Sequence, residues 1–281
     1  MVNINGNLFP ESALTLALNN RGLNYGDAVF ETIRTLNGKI FFWEDHYFRM
    51  MSSMRILRME IPMNFTMEFL ESEILRTLET SVEKNSSFRV KILVWRKEGG
   101  KYTPASREIE YAISLEKLDH PFYILKDSAC EVELFKDYFI SSGLLSTIKS
   151  NNRLINILGS IYAEENAYDN CFLLNEHKQI VEALNGNVFL VSGNTVKTPP
   201  LSDGCLNGIM RKQLIAIMNT LPEFVMVEES ISPFELQKAD EIYITNVISG
   251  IVPITKYRKK EYGNDLGKIL LPKINLRAGM N

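Results

Sequence analysis

The chain has few of the residues that carry unaided catalysis or cross-linking: 3 cysteines, 3 histidines and 2 tryptophans in 281 residues. Cys130, Cys171 and Cys205 are odd in number and far apart, which excludes a disulfide framework and a paired metal knuckle. A reducing, cytoplasmic compartment is expected. Charge of one sign is not in excess. Lys plus Arg is 31 and Asp plus Glu is 34, so the net charge of −3 gives no broad footprint for nucleic acid. Apolar runs stop after a handful of residues, short of the ~20 that span a bilayer. Met1 to Gly6 lacks the basic stretch and apolar segment of a signal peptide. Walker, G-x-G-x-x-G and H-E-x-x-H patterns are missing. His120 and His177 lie among polar residues and read as solvated, so neither a histidine-based triad nor a metal site is expected. If the chain is an enzyme, its reactive group is a Lys, a Tyr, a carboxylate or a bound cofactor.

What is present is enough apolar sequence for a folded core: 45% hydrophobic against 23% charged. The length suits one large domain or two of roughly 100–200 residues each. Asn3 to Leu8 reads as a strand with a turn at Asn5-Gly6. Asp27 to Thr35 and Lys39 to Trp43 read as strands joined by Asn37-Gly38, the strongest short hairpin signal. A helix follows over Glu44 to Leu57, with Phe48, Met51, Ile56 and Leu57 as its apolar face. Met67 to Val82 carries Phe69, Leu70, Ile74, Leu78 and Val82 at helical spacing, with Thr66 as N-cap. Phe88 to Trp95 and Ile109 to Leu115 read as strands, and Glu116 to Leu125 as an interdomain link. Beyond it come a helix over Arg153 to Ala167 and strands at Cys171–Asn175, Gln179–Val181, Asn187–Val191 and Thr195–Thr198. A helix over Gly208 to Asn219 and a strand at Glu241–Thr245 complete the reading. The strands look mostly hairpin-joined, against a doubly wound sheet.

Three stretches stand out chemically. Lys149 sits in Ser146-Thr147-Ile148-Lys149-Ser150-Asn151-Asn152-Arg153, just before an amphipathic helix. Glu182 closes one strand and Asn187 opens the next. Leu206-Asn207-Gly208-Ile209-Met210-Arg211 is a glycine-led helix start, where backbone N–H groups and the positive dipole end can hold an anion.

A lysine, a carboxylate and an anion-binding helix start in that order resemble the fold-type IV, or class IV, pyridoxal-phosphate enzymes. These include branched-chain and D-amino-acid aminotransferases and aminodeoxychorismate lyases. The resemblance covers nearly the whole chain. It runs through Asn20-Arg21-Gly22-Leu23-Asn24-Tyr25-Gly26-Asp27-Ala28-Val29-Phe30-Glu31 and Asp45-His46-Tyr47-Phe48-Arg49, which is similar to E-H-x-x-R. It continues through the Lys149 motif, Glu182 to Phe189, Thr198-Pro199-Pro200, the N-G-I-M-R helix start, Glu241-Ile242-Tyr243 and Pro253-Ile254.

The resemblance implies pyridoxal 5'-phosphate as cofactor. Lys149 would hold its aldehyde as a Schiff base and move the substrate proton. Glu182 would keep the pyridine nitrogen protonated. Arg49, the backbone of Leu206, Ile209 and Met210, and the loop Asn246-Val247-Ile248 would hold the phosphate. Many aminotransferases carry hydroxyl residues where Met210 and Val247 stand, so backbone contacts must do more here. Arg153 occupies the place where branched-chain enzymes put a Tyr near the ring hydroxyl, and Asn152-Arg153-Leu154 looks more like the lyases. His46 reads as a packing residue.

For substrate, Trp95 to Tyr102 resembles the family's R-G-x-G-G-R-G-Y loop, with Lys101 in place of Arg. Arg96 or Lys101 is expected near a substrate carboxylate, and Tyr25 and Phe30 near the substrate. The implied activity is amino transfer between an amino acid and a 2-oxo acid. The alternative is aminodeoxychorismate lyase, which releases pyruvate and 4-aminobenzoate; a non-catalytic protein of the same fold is more remote. The implied architecture is α+β, fold-type IV, in two domains. A smaller α+β domain would cover residues 1–118, and a larger domain with a barrel-like sheet would cover 119–281. A cytoplasmic homodimer without nucleic-acid or membrane partners is expected.

Overall fold

The computed structural model describes residues 1–15, 17–83, 86–126 and 128–280. The chain divides into two compact units, Met1–Pro121 with Ile148–Asn152, and Phe122–Thr147 with Arg153–Met280.

The first unit holds β1 (Val2–Ile4), β2 (Asn7–Phe9), α1 (Arg21–Tyr25), β3 (Ala28–Leu36), β4 (Lys39–Ile40), α2 (Trp43–Ile56), α3 (Met67–Leu78), β5 (Ser87–Arg96) and β6 (Ile109–Leu118). Its six strands form an antiparallel sheet in the order β2-β1-β6-β5-β3-β4. The Asn37-Gly38 turn does join β3 to β4, with φ of 51° and 76° at its two residues. Such left-handed positions suit Asn and Gly and match the twist of the strands. Thr66 caps α3 by accepting from the Phe69 amide at 3.2 Å. Alternation on β3 and β5 sends Val29, Ile33, Val90, Ile92 and Val94 into a core with Met50, Met54, Leu70 and Ile74 of the two helices. Three expectations need correcting. The strand after Gly38 ends at Ile40 and Trp43 already begins α2. Phe48 is exposed, because α2 turns Trp43, His46, Met50, Ser53 and Met54 inward. Val82 lies past the end of α3 and is exposed.

The second unit holds β7 (Glu131–Ile140), α4 (Leu154–Glu165), β8 (Asn170–Asn175), β9 (Ile180–Ala183), β10 (Asn187–Ser192), β11 (Thr195–Thr198), α5 (Ile209–Met218), β12 (Val225–Glu228), β13 (Glu241–Asn246), β14 (Gly250–Ile254), β15 (Lys256–Tyr257), β16 (Lys260–Glu261) and α6 (Asp265–Met280). Two five-stranded sheets, β12-β11-β10-β13-β14 and β16-β15-β7-β8-β9, share one core. Val132, Leu134 and Phe172 from one sheet meet Val188, Leu190, Ile242 and Ile244 from the other. This is the barrel-like arrangement expected. Consecutive strands are mostly joined as antiparallel hairpins, as expected, but β7 with β8, β11 with β12 and β15 with β7 are parallel pairs. The first two cross over through α4 and α5, as parallel strands require. Among the described residues no helix is long and apolar enough to cross a membrane.

Candidate active site

In the first unit, the segment Ile148–Asn152 lies against the edge of β3. β4 covers that edge only at Thr35 and Leu36, so the other end of β3 is open to a second partner. The Phe30 amide donates to the Lys149 carbonyl at 2.8 Å, the Asn151 amide donates to the Ala28 carbonyl at 3.0 Å, and Ser150 pairs with Val29. Ile148 is buried in the core beneath. The backbone of Lys149 is thereby held against β3 next to a single β-bridge. Its Nζ lies 4.5 Å from the centroid of the Phe30 ring, a cation–π distance. Lys91 Nζ lies 5.2 Å from the same ring. Burial and the neighbouring Arg89 hold the Lys91 amine below its ordinary pKa. Gly26, at φ 63°, is required here: a Cβ would come within 2.4 Å of Asn152 Oδ1.

The next residue of β3, Glu31, points to the opposite face, toward α2. Its carboxylate takes both edge donors of Arg49, Nε at 2.8 Å and Nη2 at 2.5 Å, and meets His46 Nδ1 at 2.6 Å. Burial opposes the charge of Glu31. Arg49 and His46 overcome it and hold the carboxyl at about 2. Burial pushes the His46 imidazole below its ordinary value against the pull of Glu31.

Arg96, one candidate for the substrate carboxylate, is buried and bound elsewhere. Its Nε and Nη2 hold Asp27 at 2.9 and 3.2 Å, and its Nη1 and Nη2 hold the Arg58 and Leu57 carbonyls at 3.2 and 2.7 Å. Arg21 grips the same Asp27 at 2.9 Å and ties down the loop through the Gly99 and Lys101 carbonyls. Burial raises the Asp27 carboxyl, but the two arginines outweigh it and keep it below its ordinary value. Arg21, Asp27, Leu57 and Arg96 line a cavity of about 280 Å³ with Tyr25, Tyr102 and Asn152. The rings of Tyr25 and Tyr102 in its lining are 5.9 Å apart. The Lys101 side chain is exposed.

In the second unit, Glu182 on β9 is buried, and its Oε2 accepts from the Leu206 amide at 2.9 Å. Asn187 Nδ2 donates to the Leu206 carbonyl at 2.8 Å. The loop before α5 is thus clamped on both sides of Leu206. Gly208 follows, where a Cβ would fall 1.9 Å from Asn187 Oδ1, so only glycine lets the loop pass this close. Gly208 caps α5 without a side-chain acceptor. The amides of Ile209 and Met210 in the first helical turn therefore face outward from the helix end, as anion donors. Arg211, one turn in, braces Thr198-Pro199-Pro200 by donating to the Pro199 carbonyl at 2.8 Å and pairing with Glu228. In the loop after β13, Asn246 Oδ1 accepts from the Ile248 and Ser249 amides at 3.0 and 2.8 Å, and the Val247 carbonyl takes the Tyr123 hydroxyl at 2.8 Å. Arg153 is the N-cap residue of α4.

Each unit holds donors of the kind that pyridoxal phosphate needs: a lysine amine and an oriented guanidinium in the first, and in the second a buried carboxylate held by one amide and a helix start whose glycine admits no side chain. Sequence reasoning gave Glu31 and Lys91 no role, while Asn187, singled out at the start of its strand, proves to hold the Leu206 carbonyl. A buried Glu between Val29 and Ile33 breaks the apolar alternation of β3, and that was the available signal for Glu31.

Residues 28–257 match the family model described as amino-transferase class IV. A D-alanine aminotransferase of Listeria monocytogenes is 26% identical over 265 residues, covering 90% of this chain and 86% of that one. An aminodeoxychorismate lyase of Vibrio harveyi is 25% identical over 241 residues, covering 85% and 86%. The crystal structure of a branched-chain aminotransferase from Thermoproteus uzoniensis with norvaline superposes with a TM-score of 0.87 at 26% identity, over 99% of this chain and 94% of that one. The chain is an enzyme and belongs to the class IV aminotransferase family.

Proposed function

We propose that this enzyme is a pyridoxal-phosphate-dependent aminotransferase that moves an amino group between an amino acid and a 2-oxo acid. The observation that carries the reading is the fixing of Lys149 on β3, with its amine over the Phe30 ring. When bound, the cofactor supplies an electron-withdrawing ring that makes a substrate Cα proton acidic. Lys149 Nζ would hold the aldehyde and then carry that proton. Glu182, fixed by the Leu206 amide, would face the pyridine nitrogen. Arg49, and the Ile209 and Met210 amides, would take the phosphate. The Val247 and Ile248 loop adds backbone polarity there, although the Ile248 amide already serves Asn246. Arg153 is assigned to the ring hydroxyl.

Because Arg96 is committed to Asp27, we assign the substrate carboxylate to Lys101, with Tyr25 and Phe30 as neighbours of the substrate. We retain a cytoplasmic homodimer. Support for the dimer, as distinct from its compartment, is the apolar face of α4, where Leu154, Ile157 and Ile161 are exposed at helical spacing. The second reading, aminodeoxychorismate lyase, is favoured by Asn152-Arg153-Leu154. Product analysis separates the two. Formation of a new amino acid from a donor and a 2-oxo acid supports transfer. Release of 4-aminobenzoate from aminodeoxychorismate, without amino transfer, overturns it.

A further inference from the structure

We propose that His46 is a positioning residue for Arg49, acting as a neutral imidazole whose Nδ1–H pins Glu31. The inference rests on the reading of Arg49 as a phosphate anchor. His46 is fully buried on the inward face of α2, one helical turn before Arg49. Glu31 is ionised and can only accept, so the 2.6 Å contact requires a proton on His46 Nδ1. Arg49 already balances the single charge of Glu31. A second positive charge at the fully buried His46 would stand uncompensated. His46 Nε2 is buried with no hydrogen-bond partner among the described residues. A bare lone pair costs less there than an unpaired N–H of an imidazolium. The neutral Nδ1–H tautomer follows.

This arrangement sets a direction. Glu31 Oε2 is shared between His46 Nδ1 and Arg49 Nη2, while Oε1 takes Arg49 Nε. Without His46, the carboxylate can rotate about its last bond and carry the guanidinium with it. With His46 in place, the plane and heading of Arg49 are fixed before any anion arrives. The same helix reinforces this from behind, since Ser53 Oγ donates to the Arg49 carbonyl at 2.8 Å. Sequence reading assigned His46 to packing; its contacts give it a polar task.

The test compares His46→Leu, which removes the donor, with His46→Asn, whose Nδ2 can replace Nδ1. Dissociation constants are measured for pyridoxal 5'-phosphate and for pyridoxal, which lacks the phosphate. The expected result is a loss of about tenfold or more for the phosphorylated ligand in His46→Leu, little change for pyridoxal, and recovery to within about threefold in His46→Asn. Equal losses for both ligands, or none, would overturn the proposal. Nitrogen NMR of the wild-type apoprotein reads the tautomer without any variant. A neutral ring protonated at Nδ1 at pH 7 is expected, and an Nε2–H tautomer or an imidazolium contradicts it. If wild-type protein binds neither ligand, the cofactor reading fails and the anchoring role with it, while an Nε2–H tautomer or an imidazolium overturns the His46–Glu31 contact independently.

Discussion

Lys149 and Phe30 are joined twice: the Phe30 amide donates to the Lys149 carbonyl at 2.8 Å, and the Lys149 amine lies 4.5 Å from the centre of the Phe30 ring. One contact fixes the backbone, the other the ammonium. The ring face favours the charged form of the amine. Phe30→Leu keeps apolar volume and the backbone bond but removes the ring. Freed of a contact worth about 0.5–1 kcal/mol, the Lys149 amine should react with an acetylating reagent about two- to fivefold faster in the apoprotein. Acetylation rates of the two proteins at one pH read this, and an equal or slower rate in Phe30→Leu would count against it.

Arg96 and Lys101 should separate cleanly. Arg96→Met leaves Asp27 half-paired and strands the Leu57 and Arg58 carbonyls. It should cost about 2–4 kcal/mol of stability by chemical denaturation. Lys101→Met removes an exposed side chain. Its stability should stay within about 0.5 kcal/mol of wild type, while KM for the carboxylate substrate rises. A KM effect confined to Arg96→Met would reverse the assignment.

Gly208→Ala should disturb the Leu206 clamp, because the new Cβ falls 1.9 Å from Asn187 Oδ1. Displacing Asn187 releases the Leu206 carbonyl and loosens the amide that holds Glu182. A loss of about 1–3 kcal/mol in stability is expected, together with weaker cofactor binding. Calorimetry and a cofactor titration check both. Retention of both would show that the loop is slack.

Glu31 carries a pH signature. Its carboxyl sits at about 2 in the fold against an ordinary 4.5. A depressed folded pKa contributes stability that is complete above the unfolded value and is lost as pH falls through the folded one. Wild-type stability should therefore drop more steeply than that of Glu31→Gln between pH 4.5 and 2. Urea denaturation across that interval measures the difference. Parallel curves would mean that Glu31 is not held ionised by Arg49.

Local chemistry explains which elements the sequence announces. Asn37-Gly38 needs no tertiary help to turn, and Thr66 caps α3 within three residues. α2 was placed, and Met51, Ile56 and Leu57 do pack on the core, but Phe48 does not. Arg49 looks solvent-facing by polarity and His46 like packing alone, yet Glu31 on β3 takes hydrogen bonds from both. α6 went unseen because Pro272 interrupts its pattern and its polar and apolar residues are not sharply segregated. The parallel pairing of β7 with β8 is set by tertiary packing of α4, which no hairpin signal reports. The roles proposed for Lys149, Glu182 and Arg49 rest on resemblance. The ring beneath the lysine and the clamp around Leu206 are products of the fold.

The most direct measurement is to load the protein with pyridoxal 5'-phosphate, reduce it with borohydride, and map the modified peptide by mass spectrometry. A visible absorption band that borohydride abolishes, with the cofactor fixed on Lys149 and lost in Lys149→Ala, is the predicted result. A colourless protein, or a label on another lysine that persists in Lys149→Ala, would contradict it.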